Sequence, residues 1–167
     1  KDSIINRFDY VFKAIIEMMQ DDKVKVRSKA MKGLQNVVTI DPSLLAQSYV
    51  RNGILERSLD QAISVREAVI DLIGKTILTK DTVPDEFFIN LIIKRVRDSG
   101  LSVRKRAITI LGNMCNENKN MSEKHVIEIC RALSNRLNSD NNEEDTVKKL
   151  VLKAFENVWF TDLSKSE

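Results

Sequence analysis

Residues 64–74 read SVREAVIDLIG, and residues 102–112 read SVRKRAITILG. The two stretches begin 38 residues apart and share a Ser-Val-Arg opening, an apolar run and a glycine at the same offset. Aligned on Val-Arg, the phrase recurs at Val26-Arg27, Val65-Arg66 and Val103-Arg104, and in degenerate form at Val147-Lys148. An aspartate stands five or six residues before each of the first three basic positions, at Asp22, Asp60 and Asp98. A glycine follows in the same copies, at Gly33, Gly74 and Gly112. Spacings of 39, 38 and 44 residues in a chain that reads as helical are the signature of stacked helical pairs of the HEAT or armadillo kind.

The segments around these marks carry helical periodicity. Val65, Ala68, Val69, Leu72 and Ile73 fall on one face of a helix, as do Val103, Ala107, Ile110, Leu111 and Met114, and Val24, Met31, Leu34 and Val38. Ser64 with Glu67 reads as a capping box. Each of these helices is expected to follow another, over roughly 4–20, 43–58, 84–97 and 122–138. Start signals stand at Asp41-Pro42, Pro84-Asp85-Glu86 and Ser122-Glu123. A last helix is expected over about 144–159, behind the polar run SDNNEED. No single pair can bury its own apolar face, so the pairs must stack. The expectation is an all-α fold, an α-solenoid of about four HEAT repeats with eight antiparallel helices. It forms a single array over 1–167, with repeats at approximately 4–40, 43–79, 84–117 and 122–160.

Composition agrees. Hydrophobic content of 43% and charged content of 31% fit a folded chain rather than a disordered one. Five glycines, two prolines and 5% aromatics favour helices over sheets. No apolar run approaches the ~20 residues that span a bilayer, so no membrane association is expected. The chain opens at Lys1 and reads as a piece of something longer, whose first helix should leave Phe8, Val11, Phe12 and Ile15 partly on an open face. Cys115 and Cys130 lie in apolar helical patterns and read as small hydrophobes of a reducing compartment. The single histidine, His125, has no metal-ligand spacing around it, and there is no Cys-x-x-Cys pair or phosphate-binding glycine loop. No nucleophile, base and orienting group assemble. The chain is expected to be no enzyme, with no catalytic residues, no metal and no cofactor.

Two sets of charged residues remain. Asp22, Arg27, Asp60, Arg66, Asp98 and Arg104 close one helix and open the next, and are expected to form a partly buried ladder within and between repeats. Lys94, Arg95, Arg97, Arg104, Lys105 and Arg106 crowd thirteen positions that hold a single acid, Asp98. With Arg104 given to the ladder, Lys94, Arg95, Arg97, Lys105 and Arg106 are the candidate nucleic-acid contacts, reading backbone phosphate rather than sequence. Arg95 and Lys105 are expected on solvated surface. A secondary stripe, Lys25, Lys29 and Lys32, recurs at i, i+4 and i+7, and a third group is Lys148, Lys149 and Lys153. The run NNEED reads as a solvated linker.

The stretches SVREAVIDLIGKTIL, LIIKRVRDSGLSVRKRAITILGNMC and VKKLVLKAFENVWF together resemble the central HEAT array of the Nipped-B-like cohesin-loading proteins. The resemblance covers about residues 60–160, with Arg95–Cys115 and the closing VWF at 158–160 as its more specific parts. The family usually continues Thr-Pro where this chain has Thr161-Asp162. The resemblance implies a non-enzymatic scaffold, nuclear and chromatin-associated, that helps load cohesin. It would contact the DNA backbone through Lys- and Arg-rich HEAT surfaces, matched here by Lys94–Arg106, together with the kleisin and SMC subunits. The loader's small subunit is not expected to bind this stretch. The alternative is a generic protein-binding HEAT scaffold, of the transport-receptor or phosphatase-scaffold type, with no DNA contact.

Overall fold

A computed structural model of the chain describes residues 2–77, 83–117, 120–138 and 143–160, with side chains over 9–76, 83–117, 120–138 and 143–156. All regular structure among the described residues is helical: α1 (Asp2–Met18), α2 (Val24–Ile40), a 3-10 turn (Pro42–Ala46), α3 (Ser48–Ser58), α4 (Ile63–Ile77), α5 (Glu86–Arg95), α6 (Leu101–Glu117), α7 (Glu123–Asn138) and α8 (Asp145–Phe160). They fall in two compact units, Lys1–Thr76 and Ile77–Glu167.

In the first unit α1 packs against α2. The α2 face is built from Ala30, Met31, Leu34, Gln35 and Val38, all buried; Val24, at the first position of the helix, is exposed instead. On α1, Phe12 is buried and Val11 exposed, with Ile15 between them in exposure; the side chain of Phe8 lies outside the described residues. The helix expected over 43–58 is broken. Asp41 accepts from the Ser43 N–H at 3.1 Å and from its hydroxyl at 2.6 Å, folding Pro42–Ala46 into a tight turn. Gln47 is extended, and α3 begins after it. Arg51 Nε donates to Leu45 O at 2.8 Å, so the turn's polar groups are met without a continuous helix.

Helix α4 carries the expected stripe, with Val65, Ala68, Val69, Leu72 and Ile73 all buried, and Ile70 buried as well. Its start differs from the sequence reading. The N–H groups of Val65 and Arg66 both reach Ala62 O, so the helix opens one residue before Ser64. The capping box falls away because Asp60 organises this end: its Oδ1 accepts from Ala62 N–H at 2.9 Å.

In the second unit α5 packs on α6 and α7, while α8 packs on α6 and α7. Asp85 caps α5 by accepting from Phe87 N–H at 2.9 Å, and Ser122 caps α7 by accepting from His125 N–H at 3.3 Å. Helix α5 ends at Arg95, two residues short of the expected stop. Val103, Ala107, Ile110, Leu111 and Met114 are buried along α6, facing Val147, Val151, Ala154 and Phe155 of α8 among others. The approach of α6 to α8 is close at Gly112, where an added Cβ would stand 2.8 Å from Ala154 Cβ. The side chains of 158–160 and the expected repeat end at 79 lie outside the described residues.

Candidate functional site

The repeated phrase folds into a repeated corner. Three aspartates each accept from the N–H two residues ahead: Asp21 from Lys23 at 2.7 Å, Asp60 from Ala62 at 2.9 Å and Asp98 from Gly100 at 2.8 Å. Three arginines then reach back through Nη1 to two consecutive carbonyls. Arg27 donates to Asp21 and Asp22, both at 2.9 Å; Arg66 to Asp60 and Gln61 at 2.6 and 3.1 Å; Arg104 to Asp98 and Ser99 at 2.7 and 3.2 Å. The register therefore places Asp21, and not Asp22, beside Asp60 and Asp98. Asp22 is exposed and offers only its carbonyl.

Between the corners of the first unit runs a bidentate ion pair. Arg27 Nε lies 2.7 Å from Asp60 Oδ2, and Nη2 donates to Oδ1 at 2.9 Å. Arg57 adds a second cation at 3.1 Å. Burial pushes the Asp60 carboxyl up, but Arg27, the Ala62 N–H and Arg57 together outweigh it and hold the group below the ordinary carboxylate value. Arg66 is buried at the same corner.

In the second unit Arg104 turns to an acid outside the register. Its Nη2 lies 3.3 Å from Glu143, which also pairs with Arg136 and whose side chain is 1% exposed. Burial, with the nearby guanidiniums of Arg104 and Arg97, pulls Arg136 below its ordinary value. The neighbouring Glu144 receives Lys105 Nζ at 3.4 Å. The run read as a solvated linker thus holds the buried hub of this corner.

This arrangement redistributes the basic cluster. Arg95 lies 3.3 Å from Asp98 with 17% of its side chain exposed, and Lys105 is tied to Glu144, so neither stands on open surface as expected. Arg106 is half-buried and partnered. Only Lys94 and Arg97 of the five candidates are exposed, and both line a cleft between α5 and α7. The secondary stripe is more open: Lys25, Lys29 and Lys32 are all exposed along α2. On α8, Lys149 and Lys153 are exposed and Lys148 is half-buried.

Among the described residues no three His, Cys, Asp or Glu side chains gather as a metal site, and no helix is long and apolar enough to cross a membrane. Burial, with Cys130 nearby, pushes the Cys115 thiol up to about 12, and burial raises Cys130 too, which leaves both poor nucleophiles. His125 Nδ1 lies 2.9 Å from the Ser122 hydroxyl at the start of α7.

Comparison with known proteins agrees with the helical-repeat fold. A family model described as a HEAT repeat associated with sister chromatid cohesion matches residues 32–73 and 76–111. Nipped-B-like protein A of Danio rerio is 38% identical over 92% of this chain, and the Nipped-B protein of Drosophila melanogaster is 37% identical over 96%. The chain spans only 6% and 7% of the length of those relatives. A designed armadillo repeat protein, solved in complex with the peptide (KR)4, superposes with a TM-score of 0.63 at 17% identity, over 86% of this chain and 62% of its own. The fold is therefore an all-α repeat solenoid of the HEAT and armadillo class.

Proposed function

Because the chain belongs to the Nipped-B-like family of sister-chromatid cohesion proteins, we propose that it serves as a stretch of non-enzymatic HEAT scaffold in a cohesin loader. In this reading it works in the nucleus on chromatin, and supports cohesin loading through contacts with DNA and with the kleisin and SMC subunits. The observation that carries the proposal is the 36–38% identity to Nipped-B proteins over more than nine tenths of the chain. The array of corners supports a scaffold role: the arginines and carboxylates most reminiscent of a reactive site are engaged with one another and with backbone carbonyls.

For the DNA contact, the α2 stripe is the better candidate surface. Lys25, Lys29 and Lys32 project from one helix face without the carboxylate partners that occupy Arg95 and Lys105. Cations in such a row meet phosphates and carry no base information. The test is the salt dependence of duplex binding by the chain and by a Lys25→Glu, Lys29→Glu, Lys32→Glu variant. Loss of three phosphate contacts should lower the log–log salt slope by about 3, equally for unrelated duplexes. An unchanged slope in a variant with native helicity removes the stripe from the proposal. Duplex affinity that is absent at low salt favours the protein-binding scaffold without DNA contact.

A further inference from the structure

The walls of the α5–α7 cleft carry a pattern that the ladder and the lysine stripe do not use. The cleft measures about 400 Å3, within the range of about 300–1,000 Å3 usual for binding pockets. Ile93, Val96 and Ala132 supply its apolar floor, and Val96 is buried. Lys94 and Arg97 bring two cations from the α5 side, and Arg131 brings a third from α7; all three are exposed. Asn90 and Asn135, one from each wall, are exposed carboxamides. Glu128 is the one carboxylate of the lining. The walls are joined below the cleft, where Lys124 Nζ on α7 lies 3.0 Å from Glu86 on α5, one turn before Asn90 and Glu128.

We propose that this cleft binds an acidic peptide segment of a partner protein, seating an aliphatic side chain on the Ile93–Val96–Ala132 floor between flanking Asp or Glu residues. Charge complementarity selects the occupant: three cations surround the floor against a single carboxylate. A carboxamide both donates and accepts, so Asn90 and Asn135 suit the N–H and C=O groups of a peptide main chain. The pattern of an apolar centre inside a charged rim is that of a protein interface, whose anchors sit in a desolvated pocket. A duplex backbone fits less well. It would leave the apolar floor uncovered and bring phosphate against Glu128. The inference does not depend on the loader reading, since it rests on the cleft alone, and it assigns Lys94 and Arg97 to peptide rather than to DNA.

The experiment is selection from a random peptide display library on the whole chain, followed by measured affinities of the enriched peptides and of a DNA duplex. Enrichment of Asp- and Glu-rich peptides with an aliphatic residue between the acids is expected. Their affinity should fall about tenfold or more in Arg131→Glu and in Lys94→Glu with Arg97→Glu. Ala132→Trp, which fills a half-exposed position of the floor, should abolish peptide binding and leave duplex affinity as it was. Circular dichroism establishes that each variant is folded, and Arg131→Glu decides if Ala132→Trp is not. No enrichment, enrichment of basic or neutral peptides, or peptides that bind the folded variants undiminished would overturn the proposal. So would charge reversal at Lys94 and Arg97 that weakens duplex binding and spares the peptides, which would return the pair to a DNA track.

Discussion

Arg27 in the first unit and Arg104 in the second open equivalent helices and grip equivalent pairs of carbonyls, yet they find their acids by different routes. Arg27 takes the corner aspartate of the next repeat, Asp60, in a bidentate pair. Asp60 is at the same time the residue that orders the start of α4 through Ala62 N–H. One side chain therefore links the local turn to the stacking of repeats. Arg104 instead meets Glu143 in the polar run before α8, and that carboxylate serves Arg136 as well. Backbone geometry, set by residues five and six positions apart, is reproduced at the corners of Arg27, Arg66 and Arg104. The acid is supplied by whichever carboxylate the tertiary packing brings.

The largest expected effect follows at Asp60. Asp60→Asn leaves Arg27 without its bidentate carboxylate at a buried position, and leaves Arg57 only Glu56, at 3.8 Å. Removing one partner of such a pair typically costs about 3–5 kcal/mol, read here by urea denaturation. The loss has a pH signature. The Asp60 carboxyl is held below 3.8, so its stabilisation is fully present above that value and fades as pH falls through the lower folded value. The gap between the chain and the variant should narrow only in that acid window. A gap that is constant with pH, or a cost below about 1 kcal/mol, would show that the two corners owe nothing to the aspartate's double role.

Glu143→Gln should cost less, about 1.5–3 kcal/mol. Arg104 meets Glu143 through a single contact at 3.3 Å, against the bidentate pair and the backbone N–H that Asp60 holds. A loss equal to that at Asp60 would mean the irregular acid is as integral as the regular one, and would erase the distinction between the units.

The same contrast explains what could be read from sequence. The α4 and α6 core stripes and the helix starts at Asp85 and Ser122 are local, set by periodicity and capping chemistry, and they are where the sequence puts them, whereas Asp41 caps only the 3-10 turn ahead of α3. The Arg-to-carbonyl reach is local too, but a one-residue ambiguity in the aspartate offset was enough to name Asp22 where Asp21 stands. Glu143 was illegible for a different reason. Acidic runs are usually solvated, and only the approach of α7 and α6 to the start of α8 buries this one. That burial also consumed Lys105 through Glu144, and Arg95 was consumed by Asp98. A dense basic run in sequence is thus no guide to open positive surface where carboxylates fold back on it. The sparser α2 lysines are exposed, and no carboxylate among the described residues folds back on them.

The smallest effects, and the sharpest sign test, lie at two glycines that follow Val-Arg, Gly33 six residues after Arg27 and Gly112 eight after Arg104. At Gly112 an added Cβ would stand 2.8 Å from Ala154 Cβ and 3.4 Å from its Cα, so α6 and α8 would have to separate along a helix–helix seam with no flexible side chain to yield. Gly112→Ala should destabilise by about 1–3 kcal/mol, the usual cost of overpacking, reduced somewhat by the better helix propensity of alanine. At Gly33 the added Cβ would meet only the Ile15 side chain, at 3.6 and 3.7 Å, which is ordinary contact. There the propensity term stands alone, and Gly33→Ala should stabilise the chain by about 0.5–1 kcal/mol. Thermal melts of the two variants beside the parent read both signs. If both substitutions destabilise, the Gly33 offset marks a second close seam, and the first unit is packed as tightly around α2 as the second is around α6. If both stabilise, the α6–α8 approach relaxes freely, and neither glycine is needed for packing.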